Sequence, residues 1–278
     1  MAVIINFCPT GMIPTKKMTP YVPESPDEIV EQVHEAFEEG ITIAHLHARD
    51  KDGVPTWDKQ IYNQIFEGVR KYCPGLLICG STSGRNFPEF EKRSALLELR
   101  PDMASLTLSS MNFMNTASVN QPDMITGLLA KMQDYGVHPE FECFDMGMIN
   151  FGSFLIRKGM ATSPHYWNVL LGNIAGLQAT PSHMGMAINE IPRDHHLAFA
   201  GLGNAQLPVT SMAISQGLGV RIGLEDNIWL DQKRTRPARN IELVRRVHQL
   251  IEIHEQRMMS ASEFGNLGFY NKQLQHQV

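Results

Sequence analysis

Short apolar runs alternate with longer amphipathic stretches along this chain from one end to the other. The apolar runs, at residues 3–8, 41–47, 76–80, 103–108, 140–144, 166–171, 196–201 and 219–224, have the length and composition of buried strands. Between them, apolar positions recur at helical spacing over residues 58–72, 87–97, 122–136, 148–159, 181–190, 205–217 and 237–254. An earlier helix is punctuated at both ends: Ser25 is its N-cap, Pro26 opens the first turn, Glu28 follows three residues on, and Gly40 stops it. About eight strands alternating with eight helices predicts parallel strands joined by right-handed helical crossovers. An open dinucleotide-binding sheet would carry a G-x-G-x-x-G turn after its first strand, but that loop reads Pro9-Thr10-Gly11-Met12-Ile13-Pro14-Thr15. A P-loop is likewise missing from the sequence. The count therefore favours closure into an α/β fold of the (β/α)8 TIM barrel type, a single catalytic domain over residues 1–262. Residues 263–278 are expected to form a C-terminal tail that frays or takes part in subunit contacts.

Composition narrows the partners. A formal net charge of −5 over 278 residues, with no basic stripe, argues against nucleic acid or an anionic membrane surface. A small molecule is the default ligand. The N-terminus, Met1-Ala2-Val3-Ile4-Ile5-Asn6, lacks a basic signal-peptide region and no apolar run is long enough to span a bilayer, so a cytoplasmic location is expected. The cysteines Cys8, Cys73, Cys79 and Cys143 show no C-x-x-C spacing and read as buried free thiols.

In the barrel class the active site lies at the C-terminal ends of the strands, and those ends are loaded with polar residues here. The second run ends in His45-Leu46-His47-Ala48-Arg49-Asp50. Alternate strand residues share a face, so His45 and His47 project together about 6–7 Å apart at their Cα atoms, within reach of one divalent metal. Two hydrogen-bonded histidines at a strand end are the alternative. Glu225, at the end of the last strand, is a natural third ligand, and two histidines with one carboxylate would leave a coordination position open. Beside it, Asp226 is placed to act as a general base oriented by Arg221, or the two form a structural ion pair. Arg49 and Asp50 read as a pair steadying the histidine loop or as a loop salt bridge. Ser81, Thr82, Ser83 and Gly84 offer hydroxyls and backbone N–H groups suited to a carboxylate, or an ordinary helix cap. Ser105, Thr107, Glu140 and Glu142 complete the polar strand ends.

Taken together, these strand ends resemble the β-keto acid cleavage enzymes. The similarity is carried by Pro9-Thr10-Gly11, residues 45–50, residues 81–84, Pro101-Asp102-Met103-Ala104-Ser105-Leu106, Pro139-Glu140-Phe141-Glu142-Cys143-Phe144-Asp145 and Val220-Arg221-Ile222-Gly223-Leu224-Glu225-Asp226-Asn227. The resemblance implies a zinc-dependent barrel, commonly a homotetramer, that condenses a β-keto acid with acetyl-CoA to give acetoacetate and a new acyl-CoA. His45, His47 and Glu225 would hold Zn2+, Asp226 with Arg221 would remove a proton, and Ser81 and the following backbone, joined by Ser105, would hold the substrate carboxylate. Members acting on an amino-bearing keto acid carry a glutamate in the first loop; this chain has Ile13 there while keeping Glu142, which argues against a distal ammonium group. Arg85 stands next to the carboxylate loop, placed for a distal anion, for the phosphates of coenzyme A or for the surface. A zinc barrel hydrolase or aldolase acting without coenzyme A is the competing reading.

Overall fold

The computed structural model describes residues 1–274. Eight parallel strands close into a barrel: β1 (Ile5–Phe7), β2 (Ile43–Leu46), β3 (Leu77–Gly80), β4 (Met103–Thr107), β5 (His138–Cys143), β6 (Tyr166–Leu171), β7 (His196–Gly201) and β8 (Gly219–Ile222). Each pairs with its sequence neighbours, and β8 returns to β1 through Arg221 opposite Asn6. Strands covered by helices outside and packed side chains inside are buried on both faces, which is why β3 and β6 read as near-continuous apolar runs.

The crossovers are α1 (Pro26–Glu39), α2 (Lys59–Tyr72), α3 (Phe90–Ser94), α4 (Pro122–Asp134), α5 (Met146–Arg157), α6 (Pro181–Glu190), α7 (Gln206–Ser215) and α8 (Asn240–Ile253). Helical spacing decides which face each one buries. In α1 these are Ile29, Val33 and Ala36, and in α2 Tyr62, Ile65, Phe66 and Val69. The capping box that opens α1 forms as its sequence predicts: Ser25 Oγ accepts from the Glu28 N–H and Glu28 Oε2 accepts from the Ser25 N–H, at 3.2 and 3.1 Å.

Two crossovers depart from their pattern. The helix expected over 87–97 is a single turn, α3, continued by a 3-10 segment at Ala95–Leu99. Pro88 disfavours helical backbone at Phe87, so the helix opens only after it. The helix expected from residue 237 begins at Asn240, because Arg239 is extended (φ −98°, ψ 150°) and the Asn240 side chain is committed to the loop after β8. The segment expected to form a separate tail packs on its own barrel as far as residue 274. Phe264 and Phe269 are fully buried and stack on each other with ring centroids 4.1 Å apart. Asn271 donates to the carbonyls of Pro101 and Tyr135, both at 3.0 Å. The rest of that tail, residues 275–278, lies outside the described residues. All four cysteines are buried and free, as expected.

Candidate active site

Strand alternation turns Asn6, His45, Cys79 and Glu140 toward the barrel axis, where they form a closed polar layer. Glu140 is fully buried and takes four donors on two oxygens. Asn6 Nδ2 (2.6 Å) and Asn168 Nδ2 (2.9 Å) reach Oε1, while His45 Nδ1 (2.7 Å) and the Cys79 thiol (3.1 Å) reach Oε2. Burial alone would raise the Glu140 pKa, but His45 and Arg221 overcome it and hold the carboxyl at about 2. Glu140 therefore stays ionised and fixes a proton on His45 Nδ1. The same pairing raises the His45 pKa against burial, so a metal at the other ring nitrogen, Nε2, would take the place of a proton.

That nitrogen faces the top of the barrel. His45 Nε2 lies 3.3 Å from His47 Nε2, and His47 Nε2 lies 3.1 Å from Glu225 Oε1. One donor atom from each of His45, His47 and Glu225 falls within 4.8 Å of the others. Burial lowers the His47 pKa, which favours the neutral, ligating imidazole. Glu225 Oε2 is buried without a hydrogen-bond partner, a costly arrangement for a carboxylate oxygen unless a cation completes it. Two imidazoles converging on a carboxylate that has one oxygen unpaired suit a divalent metal. His45, Cys79 and Glu140 also lie close enough together to be considered as ligands. Their atoms are spent on one another, however, and burial with the neighbouring Glu140 holds the Cys79 thiol protonated. This second trio supports the first from below.

Arg221, 2 % exposed, is the electrostatic centre of the rim. Its guanidinium reaches Asp226 Oδ2 through Nε (2.9 Å), Glu225 Oε1 through Nη2 (2.8 Å) and Glu142 Oε1 through Nη1 (3.1 Å). Burial opposes its charge, and these carboxylates more than restore it. The carboxylates do not respond alike. Burial also opposes ionisation of Glu225, yet Arg221 and His47 hold it well below the usual range. Asp226 moves up, pushed by burial and by the Glu225 charge against the pull of Arg221. One guanidinium thus separates an acid that stays ionised from a neighbour with a heightened appetite for a proton. Cys8 adds a thiol donor to Asp226 Oδ2 at 3.3 Å.

Local sequence explains why the last loop can deliver two adjacent carboxylates. A Cβ on Gly223 would stand 1.9 Å from the Cys8 carbonyl oxygen, and one on Gly11 would stand 2.3 Å from Glu225 Cγ. Only glycine lets the two loops approach so closely. Asn240 stitches them together, accepting from the Leu224 N–H at 2.9 Å and donating to the Pro9 carbonyl at 2.9 Å. Arg49 braces the first loop through Thr10 Oγ1 and the carbonyls of Gly11, Pro14 and Gly53. It does not pair with Asp50, whose carboxylate instead accepts the N–H groups of Asp52 and Val54.

Above this floor opens a cavity of about 470 Å³, lined by Ile13, His47, Ser81, Ser83, Arg85, Glu142, Arg221, Glu225 and Asp226 among others. Most of the sequence-predicted site residues therefore meet at one place. Thr82, Gly84 and Ser105 stand behind its wall. The Thr82 N–H donates to Ser105 Oγ (3.1 Å) and its hydroxyl to the Ser105 carbonyl (2.6 Å), while the Ser83 N–H donates to Ser81 Oγ (3.3 Å). The backbone donors expected to be free at Thr82 and Ser83 are thus occupied, and the Ser81 and Ser83 hydroxyls are what face the cavity. Asn6 and Asn168, which the sequence did not single out, and Glu140, named there only as a polar strand end, together form the layer that holds His45. The alternation of Glu140 with Glu142 along one strand was the available signal for Glu140.

A profile of the beta-keto acid cleavage enzymes matches residues 2–267 of this chain. The chain belongs to that family. Among curated relatives, the 3-keto-5-aminohexanoate cleavage enzyme of Acetoanaerobium sticklandii is 34 % identical over 248 residues, covering 89 % of this chain and 90 % of the relative. The 3-oxoadipate:acetyl-CoA acetyltransferase of Cupriavidus necator is 34 % identical over 252 residues, covering 90 % and 88 %. Among solved structures, apo ObcA superposes with a TM-score of 0.79 at 18 % identity, over 91 % of this chain and 66 % of that longer chain. That likeness concerns the barrel alone.

Proposed function

We propose that this family member transfers coenzyme A from acetyl-CoA to the acyl part of a β-keto acid, releasing acetoacetate and a new acyl-CoA. The observation that carries the reading is the juxtaposition, on one cavity floor, of a metal-fitting donor trio with Asp226, a buried carboxylate oriented by Arg221. The names of the curated relatives support it, because each describes chemistry on a β-keto acid or transfer from acetyl-CoA.

His45, His47 and Glu225 would hold the metal, and their nitrogen and oxygen donors suit zinc. When bound, a divalent ion supplies Lewis-acid polarisation of the keto group, which acidifies C2. Asp226 takes the C2 proton, a task favoured by its raised pKa, and Arg221 holds the carboxylate in line while keeping its own charge. The Ser81 and Ser83 hydroxyls hold the substrate carboxylate. The electron pair left at C2 attacks the acetyl carbonyl, and the coenzyme A sulfur passes to the former keto carbon. The C2–C3 bond then breaks, and Asp226 returns its proton to C2. One C–C and one C–S bond form as one of each breaks, so atoms and charge balance with no external reductant or acyl-enzyme. The cysteines have no part in this: burial raises Cys8, Cys79 and Cys143 well above ordinary thiols and makes them poor nucleophiles.

The homotetramer implied by the resemblance belongs to the same proposal, with light scattering as its check. Among the described residues no helix is long and apolar enough to cross a membrane. The test of function is acyl-CoA and acetoacetate formation from a panel of β-keto acids supplied with acetyl-CoA. Metal-dependent cleavage of those acids with no transfer to coenzyme A would replace this reading with a hydrolase or aldolase.

A further inference from the structure

Arg85 is a half-buried cavity arginine whose charge meets no carboxylate among the described residues. Three arginines line the cavity, and they are held very differently. Arg221 is saturated by three carboxylates, and Arg234 stands exposed at the mouth with its Nε on Asn204 Oδ1 (3.0 Å). Arg85 has no ion-pair partner among the described residues, and its Nε is buried without a hydrogen bond. Its guanidinium lies over the Phe113 ring, 3.6 Å from the centroid, and the ring fixes the plane of the fork and excludes water from one face. Burial lowers its pKa, while Glu225 and Glu142 on the same cavity favour the charged form.

We propose that Arg85 is a specificity-determining residue that binds a second carboxylate, at the distal end of the substrate, making the natural substrate a β-keto dicarboxylate. This rests on the acetyl-CoA reading above and deepens it. The charge inventory points the same way. Arg85, Arg221 and Arg234 balance Glu142, Glu225 and Asp226 in the cavity lining, so a divalent ion in the donor trio would leave the site net positive even against the Glu140 carboxylate beneath it, which favours a substrate with a second anionic group. A planar fork held against an aromatic ring is also the geometry that takes a carboxylate through two parallel hydrogen bonds. Ile13, on the same wall and 56 % exposed, offers nothing to a cationic end.

The experiment compares Arg85→Met and Arg85→Lys with the intact protein. It reads kcat/KM for two keto acids matched in length, one ending in a carboxylate and one in a methyl group, and KM for acetyl-CoA. The intact protein should prefer the carboxylate-ended acid, and Arg85→Met should cut that preference by about 30-fold or more, the scale of losing a buried charge partner. Arg85→Lys should recover part of it. Titration calorimetry of glutarate, without acetyl-CoA, should show the same loss in Arg85→Met, and this readout stands even if no acyl transfer is found. The proposal is overturned if the preference is unchanged in Arg85→Met, if both substrates fall equally, or if the preference holds while KM for acetyl-CoA rises, which would assign Arg85 to the coenzyme A phosphates.

Discussion

Glu140→Gln is the most searching single substitution in this molecule, because it changes one atom in a closed network and leaves the shape intact. The glutamate accepts four hydrogen bonds, two on each oxygen. A glutamine has one acceptor oxygen and one donor nitrogen. If its NH2 group replaces Oε1, it faces the Asn6 and Asn168 amides, which must turn over to present their Oδ1 atoms and so bury their NH2 groups where those oxygens now lie. If it replaces Oε2, it faces His45 Nδ1, which must give up its proton to accept one; the imidazole then carries hydrogen on Nε2 and cannot ligate through it. Either placement leaves a buried polar group unsatisfied at a cost of about 1–3 kcal/mol. The expected loss of metal affinity is about 10–100-fold, the scale for removing the carboxylate behind a metal-bound histidine. Competition against a chromophoric chelator measures the affinity, and thermal melts of the metal-free protein report the packing cost separately. Metal affinity within about twofold of the unsubstituted protein would refute the claim that the charged Glu140 carboxylate supports His45 as a ligand.

Asp226→Asn should retain metal and fold while turnover falls about 100-fold or more, and C2 hydrogen–deuterium exchange in the keto acid should slow with it; exchange at the normal rate would move the base elsewhere. Ile13→Glu should lower kcat/KM for a carboxylate-ended keto acid and raise it for an amino-ended one, with a modest effect because the position is 56 % exposed; an unchanged ratio would remove this wall from substrate selection. Burial holds His138 and His165 at about 4, below the ordinary 6.5, so the folded protein binds protons less readily there than the unfolded chain does. The stability they contribute is complete above pH 6.5, is lost as pH falls from 6.5 toward 4, and changes no further below that. Urea unfolding across that window should show the decline, and His165→Asn should shallow it; an unaltered slope would count against the His165 share.

The sequence by itself determined the architecture and named most of the residues that line the cavity. Alternating strand and helix periods pointed to parallel pairing, the strand count favoured closure, and closure puts the ends of β2 and β8 on one rim. That reasoning suffices to bring His45, His47, Glu225, Asp226 and Arg221 together without coordinates, because in a barrel every strand end faces the same side. Only the tertiary structure decided which polar groups are spent and which are free. Side chains from β1, β2, β3 and β6 converge on Glu140 of β5, and no spacing within one strand shows that its partners include Asn6 and Asn168. The Thr82 N–H lost its availability to Ser105, a residue of the neighbouring strand β4. Arg49 and Asp50, adjacent in sequence, turned to different partners because one faces the first loop and the other its own turn. Arg85 kept a free charge because Phe113, 28 positions away, supplies a face and no counter-ion. Periodicity reports which way a side chain points, whereas hydrogen-bond partners are settled by distances of about 3 Å across the barrel, and those exist only once the chain has closed.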